Sequence, residues 1–454
     1  MPAPTLTSRF PVLALRDFRL LLADRLIAPA SFGFSLVGVA FAVLDATHST
    51  ADLSYVLAAQ IAPSLIFTLI GGVWADRMPP QRVIIVANLM IALGEGLFGL
   101  LVLTGHARLW QMIVLECVTG SGMAMFYPAS QALLPWIVPE DLLTQASALS
   151  RLMMNAGQMI GAAVAGLVVA AIGPGWALAI CGLGMTGTVP VLLSLRAAKG
   201  VRPPHHGMVS ELRDGWSEFR SRTWLWAIVL QYCVVMMAWY GAFQVLGPVV
   251  ARSHLGGPAA WGAITAAESV GLIGGGLVAL RFYPRRPMLF VVLIGMTVTI
   301  PTLSLAGLWP LPVVCVCAFG VGIAIEVMMV VWTVTMMTNI PADRLARVSS
   351  YDALGTIMAM PAGALAAGPI AAALGVSTTQ YGAVVIILVS CLLALIPREI
   401  RTIRSPAAAG TPNQKVAAVT GEREITTDDT RVPESAAPAL DRLAVAEAAA
   451  SDAV

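Results

Sequence analysis

Stretches of about twenty predominantly apolar residues recur along this chain, and that length is what an α-helix needs to cross the hydrocarbon layer of a bilayer. They lie at residues 18–43, 54–74, 83–103, 110–133, 147–171 and 174–195, then at 223–249, 259–281, 288–307, 312–337, 350–373 and 379–397. Composition agrees: hydrophobic residues make up 58% and charged residues 11% of the 454, with a mean hydropathy of +0.82, which no soluble globular chain of this length needs. The expected fold is all-α integral membrane, with twelve transmembrane helices. A formal charge of +2 without a basic face argues against a nucleic-acid partner.

Arginine and lysine placement sets the expected orientation. With the N-terminus inside, one side collects Arg16, Arg19, Arg77, Arg82, Arg281, Arg286, Arg398 and Arg401 among others, and the other side only Arg108 and Arg252. That bias over short loops predicts both termini in the cytoplasm of a cell whose plasma (inner) membrane holds the chain. The first 17 residues have no signal-peptide core, and the apolar stretch after them is too long to be a cleaved leader, so it stays as the first helix. All six cysteines lie in apolar runs and read as packing residues; neither a disulfide framework nor a metal site is expected.

The two halves repeat. Gly71-Gly72, Arg77, Pro80 and Arg82 recur about 204 positions later as Gly275-Gly276, Arg281, Pro284 and Arg286. At an offset of about 202, Pro139, Asp141, Ala165-Gly166 and Gly173 recur as Pro341, Asp343, Ala367-Gly368 and Gly375. The expected organisation is a cytoplasmic N-terminus (1–17), a six-helix bundle (18–195), a linker (196–222), a second, parallel-related six-helix bundle (223–397) and a cytoplasmic tail (398–454). Leu212, Trp216 and Phe219 recur at helical spacing in the linker and predict an amphipathic interfacial helix. The tail is rich in Ala, Pro, Thr, Asp and Glu without aromatics, a composition that predicts disorder. Parallel repeats place a substrate site between the halves near the midplane.

Charges inside the spans are costly, at least about 2.5 kcal/mol each on insertion scales, so those present ask for a pairing or a transport role. Asp24, Arg25, Arg151 and Asp352 fall near the cytoplasmic ends, where a structural ion pair or snorkelling explains them as well as function does. Glu95, Glu268 and Glu326 sit deeper, and Glu116 also lies within a span. A carboxyl in a cavity that alternately wets and dries can load a proton on one side and release it on the other. The five histidines all fall in loops, so the proton-coupling candidates are Glu326 and Glu268, then Asp24 and Glu95, with Glu116 behind them. The competing reading for each is a carboxyl hydrogen-bonded between packed helices. For cargo, Met236, Trp239, Tyr240, Phe243, Met153, Met328 and Trp332 offer adaptable and aromatic apolar surface. Ordinary packing or lipid contact is the alternative for each.

The loop Gly72-Val-Trp-Ala-Asp76-Arg77-Met-Pro-Pro-Gln-Arg82 resembles the signature after the second helix of the major facilitator superfamily. Phe126-Tyr-Pro-Ala-Ser-Gln-Ala-Leu-Leu-Pro135 and Trp261-Gly-Ala-Ile resemble the superfamily's branch of drug-proton antiporters that holds the enterobactin exporter and the macrolide-efflux proteins. A carboxylate at a membrane boundary can accept hydrogen bonds from the free amides of a helix N-terminus. Asp76 would then be a conformational latch between halves; the resemblance implies Ser349 and Ser350 as its partners, and the alternative is a solvated Asp ordered by Arg77 or Arg82. Leu280 stands where a second latch would map. Gly157, Gly161 and Gly166 look like the superfamily's antiporter motif in the fifth helix, with Ala162 replacing its proline. In the fourth helix Glu116 occupies the position where the superfamily has an arginine.

No P-loop is present, since neither lysine is followed by Ser or Thr, and no catalytic constellation such as His-Glu-x-x-His occurs. Neither an enzyme nor a cofactor is expected. The resemblance implies a monomeric, proton-coupled exporter of small hydrophobic or amphipathic compounds such as drugs, macrolides, siderophores or natural products. An importer or facilitator of a small metabolite and a non-transporting membrane receptor are the alternatives.

Overall fold

The computed structural model describes residues 11–75, 79–195, 219–282, 284–340, 348–349, 351–352, 355–356 and 358–403, with the backbone alone for 66–75, 127 and 140. A 3-10 turn at Pro11–Ala14 leads into α1 (Arg16–Thr47), followed by α2 (Thr50–Ala75), α3 (Pro80–Leu103), α4 (Leu109–Ile137), α5 (Leu143–Ile172) and α6 (Pro174–Leu193). The second half comprises α7 (Thr223–Leu255), α8 (Pro258–Ala279), α9 (Pro287–Ala306), α10 (Leu311–Asn339), α11 (Met360–Leu374) and α12 (Val376–Ala394), with a short α13 (Arg398–Thr402) after it. The expected twelve-helix architecture is therefore present. The linker helix, all but its last residues, and the tail after Ile403 lie outside the described residues.

Several helices outrun their apolar stretches: α1 reaches Thr47 where hydropathy stops at 43, and α7 reaches Leu255 where it stops at 249. Backbone hydrogen bonding continues through a polar last turn that hydropathy does not register. Proline opens α3, α6, α8 and α9, where its missing N–H is no loss. Gly173 and Gly375, the repeat pair, have φ of 96° and 89° and reverse the chain in one residue between α5 and α6 and between α11 and α12. α12 consequently begins at Val376, three residues before the expected 379.

Within the first half α1 packs on α5 and α6, α3 on α4 and α6, and α2 on α4. The second half repeats this pattern: α7 on α11 and α12, α9 on α10 and α12, and α8 on α10. Across the halves the large contacts are α5 with α8 and α2 with α11. Small residues make these approaches possible. A Cβ on Gly161 would run into the Ala30 carbonyl of α1, and one on Gly363, 202 positions on, into the Met237 carbonyl of α7. One on Gly166 would lie 2.8 Å from the Pro258 carbonyl oxygen of α8, and one on Gly368 2.5 Å from that of Thr50 in α2. The repeated glycines thus serve two kinds of contact, Gly161 and Gly363 inside a half and Gly166 and Gly368 between halves.

The chain has a turn end, with the α1–α2, α5–α6, α7–α8 and α11–α12 reversals, and a terminal end, where α1 starts and α12 finishes. At the turn end one apolar core runs through both halves, including Val39, Val56, Phe98, Met112, Phe243, Trp261 and Ala367. Towards the terminal end the described residues form two separate cores. One holds Phe18, Ile84, Phe126 and Leu133 of the first half, the other Leu225, Val292, Val331 and Ile387 of the second. An Asp45–Arg252 ion pair at 2.9 Å also ties the halves at the turn end. Outward-facing leucines such as Leu183 (71% exposed) and Leu280 (82%) require an apolar surrounding, which the bilayer supplies.

Candidate functional site

Two carboxyl groups, Glu95 of α3 and Glu116 of α4, are completely buried in the first half. The helices meet at this level: a Cβ on Gly94 would collide with the Thr119 hydroxyl and sit 2.9 Å from the Leu115 carbonyl oxygen. Ser35 of α1 donates its hydroxyl to Glu95 Oε1 at 2.6 Å, and Gln60 of α2 donates its amide to Glu116 Oε2 at 2.7 Å. Among the described residues each carboxyl keeps one oxygen, Glu95 Oε2 and Glu116 Oε1, with no partner, and the Thr119 hydroxyl is likewise unengaged. The two acids stand beside the Gly94 contact, Glu95 next to Gly94 on α3 and Glu116 next to Leu115 on α4. A network from four helices thus converges on one pair of acids. It lies directly beneath the joined core, since Val39, Val56, Phe98 and Met112 stand one helical turn from Ser35, Gln60, Glu95 and Glu116.

The remaining intramembrane charges are dispersed. Glu326 of α10 pairs with Arg151 of α5 at 2.9 Å, a bridge across the halves in which Glu326 is sheltered and Arg151 is 61% exposed. Removing either partner alone is expected to lower the melting temperature more than removing both, with a coupling of about 1 kcal/mol or less because the arginine is solvated. A double-mutant cycle of Arg151→Ala and Glu326→Gln measures it. Asp24 and Arg25 are both buried; Arg25 donates to the Ser130 hydroxyl and, at 2.5 Å, to the Ser130 carbonyl oxygen. Asp352 accepts from the Trp332 indole N–H at 3.0 Å. Glu268 of α8 is half-buried and turns its backbone carbonyl towards α10 at Gly322.

The cargo candidates divide. Phe243, 1% exposed, lies between Trp239, on which it stacks at 5.6 Å, and Trp261, tilted 53° to it at 5.3 Å, in the joined core, with Tyr240 packed against that core. α7 is π-helical over Tyr240–Val245, a widened turn of the kind found at functional sites. Met328 and Trp332 line a 40 Å³ cavity with Tyr232 and Asp352, and Met236 packs on the core of the second half. Met153 is half-buried. Its neighbour Met154 instead lines a larger cavity, about 210 Å³, inside the first half. One residue is about 100° around a helix, so hydropathy alone does not separate the two.

Gly157 and Gly161 of the helix-5 motif receive α1, and Gly166 receives α8. Of the latch residues, Asp76 and Arg77 lie outside the described residues, Gly72 is described as helical backbone in α2, and Arg82 is exposed in the first turn of α3. Among the described residues no group of three or more His, Cys, Asp or Glu comes together to hold a metal.

Two six-helix bundles whose described residues share an apolar core at one end and form separate cores at the other have the architecture of a membrane transporter. The sequence profile of the Major Facilitator Superfamily matches residues 26–351, and the chain belongs to that superfamily. It is 27% identical over 405 residues to the enterobactin exporter EntS of Citrobacter koseri, covering 86% of this chain and 94% of that one. Against EntS of Shigella boydii the identity is 27% over 401 residues, covering 85% and 93%. Similar solved structures include a bacterial homologue of the human lysosomal transporter Spinster, inward-facing and unoccupied. Its TM-score is 0.68 at 16% identity, over 86% of this chain and 99% of that one. A bacterial homologue of the iron transporter ferroportin, inward-facing, has a TM-score of 0.65 at 15% identity, over 84% and 98%.

Proposed function

We propose that this chain is a proton-coupled exporter of small hydrophobic or amphipathic compounds, working by alternating access with both termini in the cytoplasm. The observation that carries the coupling is the Glu95–Glu116 pair: two buried acids, each with an oxygen unpartnered among the described residues, beneath the core that joins the halves. In this orientation the separate cores face the cytoplasm, and cargo enters between them. Parting the joined core wets the pair from outside, where it takes up a proton as cargo leaves. Return to the present arrangement carries the proton inward. Similarity to chains named as enterobactin exporters supports the outward direction. Asp76 of the α2–α3 loop is proposed as the latch that holds the opposite end when it closes.

Everted vesicles carrying the chain are expected to accumulate an exported toxic compound when their lumen is acid, and to stop when the pH gradient is collapsed. Accumulation that survives the collapse would remove proton coupling, and accumulation only in right-side-out vesicles would make the chain an importer.

A further inference from the structure

The 210 Å³ cavity of the first half lies among α1, α3, α4, α5 and α6, away from the α7 and α10 residues that the sequence offers for cargo. Its wall is soft and apolar: Met123, Met154 and Met185 come from three helices, Phe32 and Phe126 from two. Thioethers and ring edges adapt to a flat aromatic face. Two polar groups interrupt the wall, the carboxamides of Asn155 and Gln158 on α5, and neither is engaged by another described residue. Among the described residues no charged side chain lines the cavity. The nearby guanidinium of Arg25 is committed to Ser130, and the Met154 sulfur stands 3.8 Å from its Nη1.

Size and access narrow the occupant. Apolar cavities of about 150 Å³ take benzene, whereas sites for whole drug-sized ligands run to about 300–1,000 Å³. A space of 210 Å³ therefore suits one or two fused rings and not a complete large molecule. Arg151, Asn155 and Gln158 follow one another at i, i+4 and i+7 along a single stripe of α5, and Arg151 reaches Glu326 of the other half. The amides accordingly flank the seam between the halves, so a larger molecule can extend from the cavity into that seam.

We propose that this cavity is a ring-binding subsite for an uncharged, flat, two-ring-sized aromatic portion of the cargo, whose hydroxyl or carbonyl group is hydrogen-bonded by Gln158 and Asn155. The proposal rests on the exporter reading for the word cargo, but binding at equilibrium tests it without transport.

The test uses the full chain in nanodiscs, with 2-naphthol as probe, naphthalene as the comparator that lacks the hydroxyl, and empty nanodiscs to subtract partitioning. Saturable binding of one 2-naphthol per chain is expected. Met123→Trp, which fills the space, should abolish it, with Met185→Trp as the second filling variant if the first does not fold. Gln158→Leu should weaken 2-naphthol about tenfold, the worth of one hydrogen bond of about 1.4 kcal/mol, and leave naphthalene within about twofold. Binding undiminished in both filling variants, or equal loss of the two probes in Gln158→Leu, overturns the proposal. A chain that binds as described but moves no cargo in vesicles would leave the subsite standing and remove the exporter reading.

Discussion

In everted vesicles, Glu116→Gln is expected to abolish proton-driven accumulation of cargo while cargo-for-cargo exchange continues. The glutamine oxygen can still accept the Gln60 amide that now bonds Glu116 Oε2 at 2.7 Å, so the α2–α4 contact survives and only the exchangeable proton is lost. The size of the effect follows from what one proton delivers. Carrying one charge through 100 mV releases about 2.3 kcal/mol, and about 1.4 kcal/mol is a factor of ten, so accumulation near fifty-fold should fall to equilibration. Glu95→Gln tests the other member, whose replacement can still accept from Ser35. Wild-type accumulation in both variants, together with its loss in Glu326→Gln, would move the coupling site to the Arg151–Glu326 bridge.

Why the sequence ranks Glu326 first and the structure draws attention to Glu95 and Glu116 is a matter of azimuth. Hydropathy places a residue along a span, and by depth Glu326 and Glu95 look equivalent. It does not say which face of the helix the residue occupies. Glu95 and Glu116 stand on different helices and are brought to one level side by side because α3 and α4 pack closely at Gly94. Arg151, counted from sequence as a residue near a span end, reaches Glu326 because an arginine side chain is long. The α7 aromatics show the same limit: a cavity wall and a packed core are equally apolar, and only the Trp239–Phe243–Trp261 ring contacts distinguish them. Length, period and repetition were legible. The apolar stretches give twelve helices, and the 202-residue offset that pairs Gly166 with Gly368 in the sequence pairs two inter-half contacts in the fold.

That pairing carries the second large prediction. Gly166→Val and Gly368→Val place a branched side chain where the first added carbon would already lie 2.8 Å from the Pro258 carbonyl oxygen and 2.5 Å from the Thr50 carbonyl oxygen. Overpacking of this kind costs about 1–3 kcal/mol. Because the contacts are between halves at the turn end, the cost falls on the joined arrangement and not on the fold of either half. An energy of that size shifts a two-state equilibrium about 5- to 150-fold. Gly161→Val is the control, since Gly161 faces Ala30 within the first half, where parting the halves brings no relief. Cysteines introduced as Asp45→Cys and Arg252→Cys, at the positions of the 2.9 Å ion pair, report closure through a short thiol-reactive cross-linker. Cross-linking should slow at least about fivefold in the Gly166 and Gly368 variants, with melting temperatures near that of the parent. Gly161→Val should lower the melting temperature and leave cross-linking of the folded fraction unchanged. Equal cross-linking in all three would mean that the α5–α8 and α2–α11 contacts do not open during the cycle, and that the halves part about some other seam.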